Sequence, residues 1–332
     1  MIKMEKMYDI TIIGGGPVGM FAGFYAGLRD AQTQIIESLP ELGGQVKALY
    51  PEKTILDVAG FVGVTGDELI TRLQKQLDTM DVDQKVDTKV TDVVKKDDYF
   101  EIETNHGVTK SKAMIIATGN GAFKPRELRA DNAKELTGKR LFYSINDLNQ
   151  FKDQDVMVAG GGDSAVDMAL MLEKVANKVY LLHRRNEFRG LEYMVDRLKE
   201  SSVKVVTPYL IKRLDEVDNR LKVTSKKVKT EDDEMSMMVD DLVVNYGFIS
   251  NNRQLKEWQI QPALDHRLIE VNQTFETSVP GVFAIGDQIT YPGKQDLIAT
   301  GFGEAPTAIN VLMKEIYPDR RGPVHSTSLH RK

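Results

Sequence analysis

The sequence predicts an α/β chain made of two domains with the same plan. Its 332 residues exceed what one hydrophobic core usually supports, so two domains are expected. A glycine-rich segment follows a short apolar strand near the N-terminus, and a second copy of this arrangement begins near residue 155. A strand, a glycine-rich turn, a helix and a further strand, in this order, are typical of a parallel sheet covered by helices.

The first copy begins with the apolar segment 8–13, which predicts a buried strand. Three glycines in GxGxxG spacing follow it: Gly14, Gly16 and Gly19. Such glycines permit a tight turn and let the backbone approach a pyrophosphate at the N-terminus of the next helix, predicted over 20–31. The next strand, 32–37, ends on Glu37, whose carboxylate can accept hydrogen bonds from both hydroxyls of an adenosine ribose, as in FAD or NAD.

The second copy has a strand at 155–159 and a strand at 179–182 that ends beside His183. Between them lies a GxGxxA motif formed by Gly160, Gly162 and Ala165. The helix after it is expected to carry four small or apolar residues on one face: Ala165, Ala169, Leu172 and Ala176. One such motif could be a structural turn, but two in the same register predict two Rossmann-like, three-layer dinucleotide-binding domains.

The two copies differ in the residue that follows the second strand. Glu37 stands there in the first copy, whereas the second has His183 followed by three arginines: Arg184, Arg185 and Arg189. A guanidinium can bind a 2′-phosphate through two hydrogen bonds, and a carboxylate would repel it. The second site is therefore expected to prefer NADPH to NADH. The alternative is that these arginines are only a solvated helix face.

Composition excludes several classes of function. Lys and Arg number 44 and Asp and Glu 49, for a net charge of -5, which argues against a nucleic-acid-binding chain. There is no cysteine, so disulfides, cysteine-bound zinc or iron–sulfur centres and thiol chemistry are excluded. The histidines have no metal-ligand spacing, so no metal is expected. Without a long apolar run or a signal-like N-terminus, a cytoplasmic protein with no membrane association is expected.

Further strands are predicted after each copy. The first copy is followed by apolar segments at 82–94, 99–104 and 113–119. The second is followed by segments at 203–207, 213–216, 221–225 and 242–247, with a charged loop at 226–234. Another short strand, 282–287, ends on Asp287.

Five motifs occur in order along nearly the whole chain: GGGPVG at 14–19, ATG at 117–119, GGGDSAVD at 160–167, HRRNEFR at 183–189 and VFAIGD at 282–287. Together they resemble the flavoproteins of the thioredoxin reductase type. That resemblance implies an NADPH-binding domain, 119–248, inserted into an FAD-binding domain, 1–118 and 249–332, which includes a C-terminal extension. It also implies that Glu37 holds the FAD ribose, that Asp287 binds the ribityl chain, and that a helix starting near Gly303 points its N-terminus at the flavin.

Thioredoxin reductases carry a CxxC pair ahead of the second glycine motif, where this chain has 141–151 without cysteine. Disulfide reduction is therefore excluded. The chain is more similar to the ferredoxin/flavodoxin–NADP+ reductases of the thioredoxin-reductase-like type. This implies hydride transfer between NADPH and FAD, one-electron transfer to ferredoxin or flavodoxin, and a homodimer. The alternatives are an NAD(P)H oxidase or diaphorase acting on small acceptors and a non-catalytic sensor of FAD and NADPH.

The same resemblance implies further FAD contacts: Gln45, Tyr50, Val90, Phe123, Thr327 and Ser328. Tyr50 would stack on the flavin and His325 would cover its other face, neither acting as an acid or base. Tyr50 could instead be a packed aromatic, and 318–332 could be a frayed tail.

An acidic carrier requires a local positive face on a net-negative enzyme. The candidates are Lys124, Arg126, Arg129, Arg320 and Arg321, and the alternative is ordinary surface charge.

Overall fold

The computed structural model describes residues 6–230, 232–251 and 253–322. They form two compact units. Unit 1 comprises the described parts of Met1–Ala48, Thr54–Ala122 and Asn251–Lys332, and unit 2 comprises Leu49–Lys53 and Phe123–Ser250. The long segment of unit 2 lies close to the 119–248 predicted for the inserted domain, but the placement of 49–53 in unit 2 was not anticipated. The assignment of FAD and NADPH to these units stays a prediction.

The helices and strands alternate along the chain. Up to residue 116 they are β1 (Met7–Ile13), α1 (Pro17–Leu28), β2 (Thr33–Ile36), α2 (Gly44–Leu49), α3 (Gly66–Leu77), β3 (Val82–Lys85), β4 (Val90–Lys95), β5 (Phe100–Thr104) and β6 (Gly107–Ile116). Up to residue 251 they are β7 (Ala122–Pro125), α4 (Ala133–Leu136), β8 (Leu141–Phe142), a 3-10 helix (Leu148–Phe151), β9 (Asp155–Ala159), α5 (Asp163–Leu172), β10 (Lys178–Leu182), α6 (Glu192–Glu200), β11 (Lys204–Val206), β12 (Tyr209–Val217), β13 (Arg220–Lys227), β14 (Glu234–Val239), β15 (Asp241–Val244) and β16 (Phe248–Asn251). The remaining elements are α7 (Arg253–Glu257), β17 (Leu264–Asp265), β18 (Leu268–Glu270), β19 (Val282–Ala284), β20 (Ile289–Thr290) and α8 (Ile298–Ile316).

The main sheet of unit 1 has the strand order β3-β2-β1-β6-β5-β4, and β19 pairs with β6. Strands β2, β1, β6 and β19 are parallel. Ile13 lies opposite Ile36 and Ile116, so three strands end at one edge of the sheet. This edge therefore carries Gly14, Glu37 and the ATG segment, and the carboxyl edge of a parallel sheet is where such folds bind ligands.

The main sheet of unit 2 has the order β11-β10-β9-β15-β8 and is parallel. Ala159 lies opposite Leu182 and Val244, which again places a glycine motif at the carboxyl edge. The α/β class predicted from the two motifs is confirmed. The expectation that Ala176 lies on the helix was wrong, because α5 ends at Leu172 and its next turns are irregular; Ala176 still packs against the core of unit 2.

The helix predicted to start near Gly303 begins earlier, at Ile298, and continues through Pro306. Gly301, Gly303 and Pro306 are weak helix formers, but burial of the face that contains Ala305, Ala308, Ile309, Leu312 and Met313 outweighs that weakness. Within the described residues, no helix has the length and apolar character needed to cross a bilayer.

Asp241, the first residue of β15, is an unusual buried acid. It is 5% exposed, and burial raises its pKa to about 6, with Asp240 adding to the effect and Arg140 opposing it. A folded-state pKa above the ordinary 3.8 means that the folded protein binds this proton more tightly than the unfolded chain. The contribution of Asp241 to stability is therefore present below about pH 4 and lost as the pH rises through about 6.

Asp241→Asn should accordingly raise the free energy of unfolding by about 1–3 kcal/mol at pH 7.5, since a neutral side chain replaces a buried charge. At pH 4.5 the folded protein already holds this proton, so the difference from the parent protein should fall to about a third. Urea unfolding at the two pH values measures it, with Asp196→Asn on an exposed part of α6 as the control. Equal effects of Asp241→Asn at both pH values would contradict this account.

Candidate functional site

The β1–α1 turn of unit 1 is closely packed through two glycines. Gly14 has a φ of +106°, and a Cβ atom there would lie 2.4 Å from the carbonyl oxygen of Ala117. A Cβ atom at Gly19 would lie 2.0 Å from the carbonyl oxygen of Gly14. These contacts are with backbone atoms, so no side-chain rotation could relieve them. The turn therefore requires glycine at both positions and is held against the ATG segment.

Gly16 leaves the N-terminus of α1 open. It caps the helix without a side-chain hydrogen bond, and the first turn contains no acidic residue. A Cβ atom on Gly16 would meet no other atom closer than the Cα of Gly44, at 4.0 Å, and Gly44 itself has a φ of +54°. Two backbone segments without side chains thus face each other beside a helix N-terminus. This cradle fits the pyrophosphate of FAD.

Glu37 is held at the same edge by backbone amides. Its Oε2 accepts a hydrogen bond from the Gly15 amide at 2.7 Å, and its Oε1 accepts one from the Leu39 amide at 2.8 Å. The carboxylate is buried and fixed in orientation, and it retains lone pairs for further donors. It therefore fits the ribose hydroxyls of a dinucleotide bound at Gly16.

Asp287 follows β19 at the same edge of the sheet. Burial raises the pKa of its carboxyl group, and nearby Asp296 and Glu304 add to the effect while Lys294 opposes it. Sequence reasoning singled out Asp287 but missed Glu304, which is 2% exposed and contacts the same loop. The available signal was an acidic residue within the otherwise apolar face of α8.

The glycine motif of unit 2 has a similar construction. A Cβ atom on Gly160 would lie 2.5 Å from the Asn245 carbonyl oxygen and 2.6 Å from the Ala165 Cβ. Gly162 caps α5, also without a side-chain hydrogen bond, and a Cβ atom there would meet nothing within 4 Å. The N-terminus of α5 is therefore also open to a phosphate, but its first turn, unlike that of α1, contains an acid, Asp163, which accepts a hydrogen bond from the Leu191 amide at 2.8 Å.

His183 lies directly against this motif. A Cβ atom on Gly161 would be 2.1 Å from the imidazole, whose ring also lies 5.5 Å from that of Phe188. Burial lowers the pKa of His183, and the three following arginines lower it further. His183 is therefore neutral near pH 7, and its Nε2 has no hydrogen-bond partner within the described residues.

The three arginines lie close enough to His183 to affect its pKa, so the structure brings the predicted residues together. All three are exposed: Arg184, Arg185 and Arg189. Over the described ranges, none of their guanidinium groups forms an ion pair or a side-chain hydrogen bond. Only the Arg189 backbone is engaged, with its amide donating to the Gly161 carbonyl at 2.8 Å. The guanidinium groups are therefore available to an anionic ligand.

Tyr50 lies in the short segment Leu49–Lys53, which belongs to unit 2. Lys53 forms an ion pair with Asp167 of α5 at 2.7 Å, and its Nζ lies 5.8 Å from the centre of the Tyr50 ring. The segment is thus attached to the helix that begins at the second glycine motif. Whether Tyr50 contacts a flavin stays a prediction.

The other predicted FAD contacts lie in different elements of the fold or outside the described residues. Gln45 follows Gly44 at the start of α2, Val90 has its side chain in the core of unit 1, and Phe123 lies in β7. Three predicted residues lie outside the described residues: His325, Thr327 and Ser328. The roles of all six stay predictions.

The five basic residues proposed for carrier docking separate into two groups. Lys124, Arg126 and Arg129 are exposed along one groove of unit 2, whose volume is about 1160 Å³. Arg320 in unit 1 instead donates to the Arg29 carbonyl at 3.0 Å and lies over the Tyr317 ring, 4.3 Å from its centre. Arg320 is therefore engaged in holding the end of α8. Arg321 is exposed.

Comparison with known proteins gives consistent matches over nearly the full length. The family model described as pyridine nucleotide-disulphide oxidoreductase matches residues 8–310. A ferredoxin–NADP reductase from Lactiplantibacillus plantarum is 55% identical over 331 residues, covering 99% of this chain and 100% of the relative. A ferredoxin–NADP reductase from Levilactobacillus brevis is 55% identical over 327 residues, covering 98% and 99%.

A solved structure gives the same fold. The crystal structure of Lactococcus lactis thioredoxin reductase superposes with a TM-score of 0.79 at 26% identity, covering 92% of this chain and 98% of that chain. The likeness supports the expectation of two dinucleotide-binding units, each with its glycine motif at the carboxyl edge of a parallel sheet.

Proposed function

The chain belongs to the pyridine nucleotide-disulphide oxidoreductase family, and from that premise we propose that it is an FAD-dependent ferredoxin–NADP+ reductase. The observation that carries the proposal is the combination of two open glycine cradles with a sequence that contains no cysteine. Without a thiol, the protein cannot relay electrons through a disulfide of its own. The acceptor must therefore take electrons directly from the cofactor. The names of the relatives imply that this acceptor is ferredoxin.

When bound, FAD would supply the redox chemistry of the proposed enzyme, which is hydride exchange with NADPH and one-electron exchange with the carrier. The residues of this chain bind and orient. The α1 N-terminus and Gly16 would hold the FAD pyrophosphate, and Glu37 would accept hydrogen bonds from the ribose. Asp287 would accept hydrogen bonds from the ribityl chain, a role that rests on the family resemblance. No side chain is required as a general acid or base.

In unit 2, the α5 N-terminus would hold the NADPH pyrophosphate. The three guanidinium groups after β10 would bind the 2′-phosphate, and the neutral His183 ring adds no charge beside them. On the family resemblance, Tyr50 and His325 would cover the flavin, and further contacts would come from Gln45, Val90, Phe123, Thr327 and Ser328.

The carrier is proposed to dock at the groove of unit 2. Five basic residues line it against three acidic ones, although the whole chain is net negative. The basic residues are Lys124, Arg126, Arg129, Lys134 and Lys212. Such a local excess of positive charge suits ferredoxin or flavodoxin as an acidic partner and accelerates its association.

An NADPH-driven cytochrome c reduction assay tests both the proposed activity and the proposed docking groove. Ferredoxin or flavodoxin should stimulate the rate, and the stimulation should fall as ionic strength rises. Lys124→Glu with Arg129→Glu should raise the KM for the carrier by about tenfold at low salt while leaving the reduction of ferricyanide unchanged.

Lys152→Glu, an exposed charge reversal outside the groove, is the matched control and should change neither rate. No stimulation by either carrier, with rapid peroxide formation, would identify an oxidase instead. Normal stimulation of the double variant at every salt concentration would place docking elsewhere.

We further propose, on the family resemblance, a homodimer in the cytoplasm. Light scattering coupled to size-exclusion chromatography tests the dimer, and a monomeric mass at micromolar protein would contradict it.

A further inference from the structure

Unit 1 contains an ion pair that is almost fully removed from solvent. Lys294 Nζ lies 2.8 Å from Glu304 Oε1, and the two side chains are 6% and 2% exposed. Burying two charges costs free energy, and their attraction recovers it only when the geometry and the remaining hydrogen bonds are good. Such a pair is weak support for stability alone, so its position in the unit matters.

The Glu304 carboxylate joins α8 to the loop that carries Asp287. Its Oε2 accepts a hydrogen bond from the Gly286 amide at 2.7 Å, directly before Asp287. Its Oε1 accepts hydrogen bonds from the Tyr291 hydroxyl and from Lys294, both at 2.8 Å. One carboxylate therefore fixes both ends of the segment 286–294 to the second turn of α8.

The first turn of α8 contacts the helix of the first glycine motif. A Cβ atom on Gly301 would lie 2.4 Å from a methyl group of Val18, and one on Gly286 would lie 3.7 Å from the same side chain. Val18 belongs to the first turn of α1. The loop, the start of α8 and the open N-terminus of α1 thus share one packed contact.

We propose that Lys294 and Glu304 are positioning residues of the FAD site and hold Asp287 and the start of α8 in place. Their opposite charges balance the affinity of the site for oxidised and reduced flavin. This inference rests on the proposed function only in requiring that FAD binds beside Asp287. Asp287 interacts electrostatically with both members of the pair and with Asp296, and the Tyr291 hydroxyl donates to Glu304. Asp287 and Asp296 remain in every variant below, and Tyr291 remains in all except the control.

The two charges have opposite expected effects. Reduction adds negative charge to the bound flavin, and charges close to it tune that step. Removing Lys294 leaves an unbalanced carboxylate, which disfavours reduced flavin. Removing the charge of Glu304 leaves an unbalanced ammonium group, which favours it. A role limited to packing would not give effects of opposite sign.

The test uses the purified holoenzyme and its variants Lys294→Met, Glu304→Gln and the double variant. Anaerobic photoreduction with reference dyes measures the flavin midpoint potential. We expect Lys294→Met to raise the ratio of the dissociation constants of reduced and oxidised FAD by about 3–10-fold and Glu304→Gln to lower it similarly. Tenfold corresponds to about 30 mV for a two-electron couple. The double variant should return to within about twofold of the parent protein.

Tyr291→Phe is the control, because it removes a hydrogen bond to Glu304 without changing charge. It should leave the potential unchanged. Shifts of the same sign in both single variants, or no shift in variants that retain FAD, would overturn the proposal. If Lys294→Met fails to fold, the shift of the flavin midpoint potential in Glu304→Gln decides alone. A potential that stays unchanged or becomes more negative in this variant overturns the proposal. Opposite shifts in a protein that no carrier stimulates would sustain this inference and reject the proposed reductase.

Discussion

Gly14→Ala is expected to lower the affinity for FAD by about 100-fold or more. The added Cβ would lie 2.4 Å from the Ala117 carbonyl oxygen, a backbone atom that can move only with β6 and the ATG segment. Relieving such a contact costs about 1–3 kcal/mol, and the φ of +106° adds about 1–2 kcal/mol for a residue with a Cβ. The turn can relax only by moving Gly16 and the α1 N-terminus, where the pyrophosphate is proposed to bind. Each 1.4 kcal/mol lost there is tenfold in affinity.

Gly107→Ala separates the effect of the contact from that of the backbone conformation. Gly107 has a φ of +112° in the same unit, but a Cβ atom there would meet nothing within 4 Å. This variant should lose about 1–2 kcal/mol of stability and keep its FAD affinity. Flavin absorbance after gel filtration and equilibrium dialysis against FAD measure the FAD content and the FAD affinity of the two variants. If the two variants retained FAD equally, the close packing of Gly14 would not be what holds the site.

Much of this arrangement could be predicted from local sequence. The two glycine motifs each follow an apolar strand and precede a helix, and β9 has the predicted bounds, Asp155–Ala159. Their predictability has a physical reason, since the tight turn, the helix and the two strands all lie within one short stretch of chain. The distant segments that close each turn, which include Ala117 in unit 1 and Asn245 in unit 2, were not predicted as its contacts.

What could not be predicted depends on contacts between distant parts of the chain. The start of α8, placed near Gly303 on the family resemblance, lies at Ile298 instead. Its glycines and Pro306 give no local signal for a helix, whereas Gly301 packs against Val18, which is distant in sequence. Glu304 was missed because its partners are a backbone amide, a tyrosine and a lysine that only the folded loop brings together. The Lys53–Asp167 ion pair likewise joins residues far apart in sequence.

Arg184→Ala and Arg185→Ala should each lower kcat/KM for NADPH by about 10–100-fold and change kcat/KM for NADH by less than about twofold. A charge-assisted hydrogen bond contributes about 1.5–3 kcal/mol, and only NADPH has the phosphate that accepts it. The guanidinium groups are exposed and form no ion pair within the described residues, so their removal breaks no internal contact that would mimic the effect.

Steady-state kinetics with both nucleotides and a constant acceptor measure the ratio of kcat/KM for NADPH to kcat/KM for NADH. The matched control is Arg197→Ala, at an exposed arginine of α6. An equal loss with NADPH and NADH would mean that these arginines support the fold of unit 2 rather than recognise the phosphate. A loss confined to NADPH would also locate the nucleotide at the α5 N-terminus, because the arginines follow β10 at the same edge of the sheet as Gly162.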